Sequence, residues 1–521
     1  MSEIGGLKHI FLCEVIVLVS IVLLLKVACL PERWSTTIVA LVLIPICFLT
    51  TSAFSAFDYG FVFSPALRLI HGFNVREIYF QYDLFLSLLA AGWMKLHFDI
   101  NNFRFVAQAS VYILIFIEFI VSKRLFFTKK LAYFFLAALV LIKIYAYFID
   151  PTYCIQLTPL RLDLWIIPFI ILMWRGSYSI AIGCCFLVIN IVHRNFGFLY
   201  SISYLEFIFV LFLIDLFENY KVKIDIIKLV RKHIFLTGPN LILIGVSLFI
   251  DYYIFGSLRP ESAILYQQLG IGFLPISAVS FYWYVPILLT ATFVLLFKQR
   301  KSLPDYYFTS GVFLILLSLA NSVYFFGRSH ESNIIHISGS LLFLVFMLID
   351  LLIKNYSVKK ENILDVRTIK YNKYILGFMP IFFIMLITFY YSERITRNLI
   401  IHAQNLRDHR FQYTNQYNNP IQFNKDSTDL KTITHNTDKV YMLSNWDFYY
   451  YYYGNYVPQG YFLPYVSSPF KKDLLVFLQN LLNKNYYIVI RKDELSYEAE
   501  VVNALAYNHT NDDNMYKVIW K

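Results

Sequence analysis

Apolar runs long enough to cross a bilayer dominate this sequence. They fall near residues 9–30, 36–57, 104–122, 131–149, 162–175, 178–193, 197–217, 233–254, 279–298, 306–326, 336–353 and 374–391. A helical span takes about 20 apolar residues, with roughly 17–25 tolerated. The expected fold class is therefore an all-α polytopic membrane protein of about 12 transmembrane helices, the run at 162–175 being the shortest. The first run differs from a signal peptide in carrying Glu14 and in meeting Pro31 and Glu32 without a small-residue cleavage site, so it is read as retained. Only 15% of the chain is charged and 58% is hydrophobic, whereas soluble domains carry about 25% charge.

The net charge of +11 would suit nucleic acid if it were spread over a soluble face. Instead the basic residues sit between apolar runs. Lys123, Arg124, Lys129 and Lys130 follow the third run, Lys221–Lys232 the seventh, Lys298–Lys301 the ninth and Lys354–Lys370 the eleventh, with Arg33 after the first and Arg175 after the fifth. Every cluster follows an odd-numbered run. Lys and Arg are retained on the cytoplasmic side, so the odd connections are expected there, and no nucleic-acid partner is expected. The even connections, the loop 58–103 among them, and the tail after Tyr391 then lie outside. Cys13, Cys29, Cys47, Cys154, Cys184 and Cys185 form neither a disulfide framework nor a zinc spacing.

Two domains are expected: 1–391 in the membrane, with a large first outer loop at 58–103, and 392–521 as a small extracytoplasmic α/β domain. In the latter, 439–443 and 486–490 read as buried strands, with an amphipathic helix over 469–484 between them. The run Tyr449–Tyr453, with Tyr456, Tyr461 and Tyr465, suits either packing at the membrane interface, where aromatic rings are favoured, or a platform for sugar rings. Asn508-His509-Thr510 matches a glycosylation sequon, a short pattern with a high chance rate.

Charged side chains at membrane depth are costly and mark function by default. Asp58 emerges from the second run on the outer face. It is followed by Tyr59-Gly60, an amphipathic Pro65–Ile70, His71-Gly72, Arg76-Glu77 and Gln81-Tyr82-Asp83. This stretch, FDYGFVFSPALRLIHGFNVREIYFQYDLFLSLLAAGWMKL, resembles the first extracytoplasmic loop of the GT-C superfamily. Its members are polyprenyl-phosphate-sugar-dependent membrane glycosyltransferases, related to protein mannosyltransferases and lipid A aminoarabinose transferases. The segment Gly327-Arg328-Ser329-His330-Glu331-Ser332-Asn333 resembles a GRSH-type element of bacterial members. Two apolar runs precede Asp58, where one is usual in the family.

The resemblance implies an inverting hexosyl- or pentosyltransferase in the cell envelope, with Asp58 as catalytic base. Tyr59, Glu77, Asp83, Arg161, Arg194, Arg328, His330 and Asn333 are the expected substrate-binding residues, since Arg offers a planar donor fork to phosphate oxygens. The expected partners are a polyprenyl-phosphate-sugar donor, a glycan, lipid or protein acceptor, and the lipid bilayer. No cofactor is required by the sequence; a divalent metal, Mg or Mn, is compatible with an acid facing a phosphate. Abundant Ile, Lys, Asn, Tyr and Phe suit an AT-rich bacterial genome, hence an inner membrane with a periplasmic tail domain. A polytopic transporter or flippase, and a polysaccharide polymerase or ligase acting on lipid-linked sugars, are the alternatives.

Overall fold

The structure, a computed structural model, describes residues 3–521 apart from 49–55, 79, 81–82, 148–150, 221–225, 256–275, 279, 328–330, 361–365, 408–427, 436, 445–446, 460–470, 492–501 and 513–515. Most of each apolar run is helical where it is described, although the run 162–175 breaks at 163–165 and the run 131–149 leaves the helix at 146–147. In chain order the helices are α1 (Glu3–Ala28), α2 (Glu32–Phe48), α3 (Ala56–Ile70), α4 (Asp83–Lys95), α5 (Arg104–Leu125), α6 (Leu131–Val140), α7 (Pro159–Leu162), α8 (Ile166–Arg175), α9 (Ile180–Val192), α10 (Arg194–Tyr220), α11 (Ile226–Phe255), α12 (Tyr284–Gln299), α13 (Asp305–Gly327), α14 (Glu331–His336), α15 (Ser338–Lys360), α16 (Val366–Tyr390) and α17 (Ser392–Arg407).

Among the described residues, five helices are long and apolar enough to cross a membrane: Ile100–Leu125, Phe196–Glu218, Ile226–Phe255, Phe281–Ser302 and Ser338–Asn355. The bent pair Phe378–Tyr390 and Ser392–Arg407, folded by 84°, makes a sixth if it is one span. Length and apolarity thus account for five or six of the expected dozen crossings. The run at 162–175 yields α8, of 10 residues. That length rises about 15 Å, half of a hydrocarbon core of roughly 30 Å. It ends at Gly176, whose φ of +88° is a conformation that glycine adopts without steric cost.

The odd-numbered connections meet on one face. Lys123 at the end of α5 pairs with Glu32 at the start of α2 (3.0 Å), and Arg124 lies over the Trp174 ring of α8. Asp350 of α15 accepts from the backbone N–H groups of Phe127 (2.7 Å) and Thr128 (3.0 Å) after α5. Lys354 reaches the Ser302 carbonyl (2.8 Å), and Arg300 pairs with Glu218 of α10 (2.8 Å). Six connections separated along the chain are thereby stitched into one basic surface.

At the opposite end stands a sheet of four strands, β1 (Val440–Leu443), β2 (Tyr487–Arg491), β3 (His509–Asp512) and β4 (Tyr516–Trp520), in the order β1-β2-β4-β3. Strands β1 and β2 are parallel, with Val440 opposite Tyr487; β4 runs antiparallel to both β2 and β3. Two further helices, α18 (Asp447–Gly454) and α19 (Lys471–Asn483), belong to this region. Alternation along β1 splits the burial. Tyr441 and Leu443 pack with Leu474, Leu478 and Leu482 of α19, while Val440 and Met442 join α18, α3 and α4. Sheet residues with a period of two thus serve two cores at once.

Helix α17, which opens the polar tail, lies against α1 and the end of α6. There α6 widens into a π-turn, Leu141–Tyr145. Asn398 of α17 donates to the carbonyls of Tyr145 (2.8 Å) and Tyr147 (2.9 Å), which supplies partners for groups that a helix end leaves unpaired.

Candidate functional site

Helix α3 starts at Ala56, well before the amphipathic segment expected at Pro65, and runs through that proline. It closes with Phe73 N–H bonded to the Arg68 carbonyl (3.0 Å) and Gly72, at φ +80°, just beyond the last turn, a Schellman ending. Asp58 therefore occupies the first helical turn, where the helix dipole favours a carboxylate. It is buried, and Gln156 donates its side-chain N–H to Asp58 Oδ1 at 2.6 Å. Tyr59 is anchored beside it by its hydroxyl, which donates to the Thr152 carbonyl at 2.9 Å.

Gln156 brings the chain directly to Arg161. Thr158 precedes Pro159 at the first position of α7, a placement whose missing N–H costs nothing. Arg161, on this short helix, is buried, contacts the Gln156 carbonyl and lies over the Phe196 ring at 5.5 Å. Asp58, Tyr59 and Arg161 are thus gathered by one segment, 152–161.

The other expected ligands fall elsewhere. Arg194, two residues before Phe196, pairs with Asp251 (2.9 Å) and covers Phe255. Glu77 is exposed in a single 3-10 turn, whose neighbour Arg76 is held by the Tyr253 and Ile254 carbonyls at the end of α11. Asn333 is buried on α14. Asp83 opens α4, but its side chain, like Arg328 and His330, lies outside the described residues. Among the described residues no group of three or more His, Cys, Asp or Glu converges as a metal site would require.

The first three tyrosines of the run form a wedge; Tyr452 and Tyr453 are half-buried, and Tyr461 and Tyr465 lie outside the described residues. Tyr449, Tyr450 and Tyr451 are buried on α18 against α3. The Tyr449 hydroxyl donates to Asn101 Oδ1 (2.9 Å), Tyr450 meets Tyr516, and Tyr451 accepts from the Met442 N–H (3.1 Å). Rings enclosed in this way present no face to a sugar, and their partners are protein groups instead of lipid headgroups. In the same junction Arg68 of α3 donates to the Ser64 carbonyl (3.0 Å) and the Gln459 carbonyl, while Ser64 Oγ donates to Asp447 Oδ1 (2.9 Å). Burial pushes the Asp447 carboxyl up to about 6, offset in part by the Arg68 guanidinium; burial likewise lowers Arg68 and raises the Tyr451 phenol.

A second charged cluster lies inside the helical body. Lys143, on the π-turn, holds both Asp163 carboxylate oxygens at 3.2 Å and the His336 carbonyl at 2.8 Å. Glu118 of α5 is fully buried beside them. Gly339 fits because a Cβ there would sit 2.9 Å from Glu118 Oε1 and 3.3 Å from Asp163 Oδ1. Single-turn π-bulges are frequent at functional sites. The sequence carried a signal for this cluster, since Glu118 and Lys143 interrupt apolar runs; Gln156 gave none.

No protein-family model matches the chain, and no curated protein matches it in sequence. Comparison with solved structures does return a likeness. The chain is similar to ArnT from Cupriavidus metallidurans, solved in the apo state. The two share 10% identity over 94% of this chain and 98% of that one, with a TM-score of 0.43. At this level the likeness gives no residue a role.

Proposed function

We propose that this chain is a membrane glycosyltransferase of the GT-C type, moving a sugar from a polyprenyl-phosphate-linked donor to an acceptor on the extracytoplasmic side. The observation that carries this reading is the arrangement of Asp58. Its carboxylate is fixed by Gln156 at 2.6 Å on a buried helix, next to the segment that presents Arg161, in the loop whose sequence resembles the family's first outer loop.

In this reading an acceptor hydroxyl or amide approaches the anomeric carbon, and Asp58 takes its proton as the new glycosidic bond forms. General-base assistance of this kind contributes roughly 10²–10⁴-fold. The bond from C1 to the phosphate oxygen breaks, and its electron pair leaves on the lipid phosphate. Arg161 faces the charge that develops there, a preorganised electrostatic contribution; Arg194 stands in reserve behind Phe196, paired with Asp251. One displacement inverts the anomeric centre. The basic face is the cytoplasmic one by the positive-inside rule, which puts the sheet domain in the periplasm of a bacterial inner membrane. Arg328, His330 and Asn333 are donor-site candidates by the sequence resemblance alone, and a divalent ion, if bound, would be held by Asp58 and would neutralise charge on the donor phosphate.

The buried Glu118–Lys143–Asp163 cluster favours a second reading, since intramembrane acids and bases also serve transport. One experiment separates the two. Purified full-length protein is supplied with radiolabelled sugar on polyprenyl monophosphate and a mixed acceptor pool, beside Asp58→Asn. Transfer by the wild type that disappears in a folded Asp58→Asn supports the transferase. Full activity in that variant removes Asp58 as base, and no transfer from any such donor brings transport forward.

A further inference from the structure

On the basic face, a cavity of about 510 Å³ opens between the start of α2, the end of α5 and the start of α6. Lys123, Arg124, Lys129 and Lys130 line it, with Glu32 the one carboxylate in its wall. Along the seam of α1, α2 and α6 runs a second cavity of about 330 Å³, whose wall is almost wholly aliphatic: Val17, Leu24, Val39, Leu43, Leu136 and Val140 among others. Helices α1, α2 and α6 border both spaces, α1 reaching the basic one through Ala28. Val27 ends the aliphatic trough where Ala28 begins the basic cavity.

We infer that this pair of cavities binds one anionic phospholipid, its phosphodiester among the basic residues and one acyl chain in the trough. Charge complementarity selects the headgroup, because four cations against one carboxylate leave an excess that only an anion relieves. Resting on the proposed topology, which makes this face cytoplasmic, the site is of the kind that holds such headgroups, a basic pocket between helices on that side of a membrane. Length selects the chain. The trough follows α1 from Ile16 to Val27, about 17 Å at 1.5 Å per residue. That depth is one leaflet of a core roughly 30 Å thick, which an acyl chain fills and a polyprenyl chain overruns.

Snorkelling of lysines to a membrane surface is the ordinary alternative. It does not explain Lys123, which is 9% exposed and held by Glu32 (3.0 Å) and Thr36 Oγ1 (2.9 Å) in the cavity wall. Nor does it explain an aliphatic trough continuing from the charges. Lys129 is turned back by its bond to the Lys123 carbonyl (2.6 Å), and Arg124 is stacked on Trp174.

Native mass spectrometry of the detergent-purified full chain tests the inference. The probes are phosphatidylglycerol, phosphatidylcholine with the same acyl chains, and a polyprenyl monophosphate. The expected result is one phosphatidylglycerol retained in preference to phosphatidylcholine. Lys129→Gln with Lys130→Gln, both exposed positions, should weaken that retention on the order of thirtyfold, with an unchanged melting temperature. Leu24→Trp, which blocks the trough without touching the charge, should also displace the lipid. Equal retention of the two phospholipids, an unaffected double variant, or preference for the polyprenyl monophosphate would each overturn the assignment.

Discussion

Arg68 and Asp447 face each other through Ser64, which accepts from the guanidinium with its carbonyl and donates to the carboxylate with its hydroxyl. Both charged groups are fully buried, one on α3 and the other on α18 beside the sheet. The junction thus rests on an ionisable group held away from its usual range.

That group gives the junction a pH dependence. Asp447 is raised from 3.8 to about 6 in the docked state, so the docked form binds a proton that the undocked form releases. Docking is then strongest below about 4 and weakens as pH rises to about 6, by about 3 kcal/mol at most. Asp447→Asn should remove this slope and be the more stable form at pH 7. Unfolding midpoints of both proteins between pH 4 and 8 read the difference; parallel curves would count against it.

Under the proposed function, Gln156→Leu should lower turnover about ten- to a hundredfold through loss of one hydrogen bond to a charged partner, worth roughly 1.5–3 kcal/mol. The fold should survive, because Gln156 is half-buried on a short turn. Steady-state kinetics of the variant decide this, with a fall in KM-independent turnover expected and donor binding little changed.

Lys143 is the one cation described between Asp163 and Glu118. Lys143→Met leaves both acids buried without it and should cost about 3–5 kcal/mol, read as lost yield and a lower melting temperature. Glu118→Gln, which reduces the acid excess, should be near neutral. The reverse order of effects would show that the lysine is not the keystone.

Two glycines make a paired test. Gly339→Ala pushes a methyl to within 3.1 Å of the Trp165 ring and closer to Glu118, and should destabilise the protein by 1–3 kcal/mol, as overpacking does (~). Gly245→Ala meets nothing within 4 Å on α11 and should stabilise by up to about 1 kcal/mol through helix propensity. Melting temperatures of the two variants should move in opposite directions.

What could be read beforehand followed local periodicity. The parity of basic clusters foreshadowed a single basic face, and strands 439–443 and 486–490 with their helix appear within a residue or two of β1, α19 and β2. Strand β3 carries no apolar period, because His509–Asp512 is polar and short, whereas β4, Tyr516–Trp520, is largely apolar and was legible in principle. The tyrosine run allowed two readings, and only the positions of Asn101, Met442 and Tyr516 separate packing from display. Gln156 stands 98 positions from Asp58 and Asp447 stands 383 from Ser64. No pattern within one segment encodes partners so distant.

That last separation has a consequence for how the chain is made. Helix α3 leaves the ribosome early, yet Arg68 gains its countercharge, and α3 its tyrosine wedge, only after nearly four hundred further residues are synthesised (about 383). Until then the helix is an unfinished half-core at the membrane surface. A chain truncated before β1 keeps every apolar run but lacks this closure, and such products should be recognised as immature and degraded rather than accumulate as a smaller stable protein.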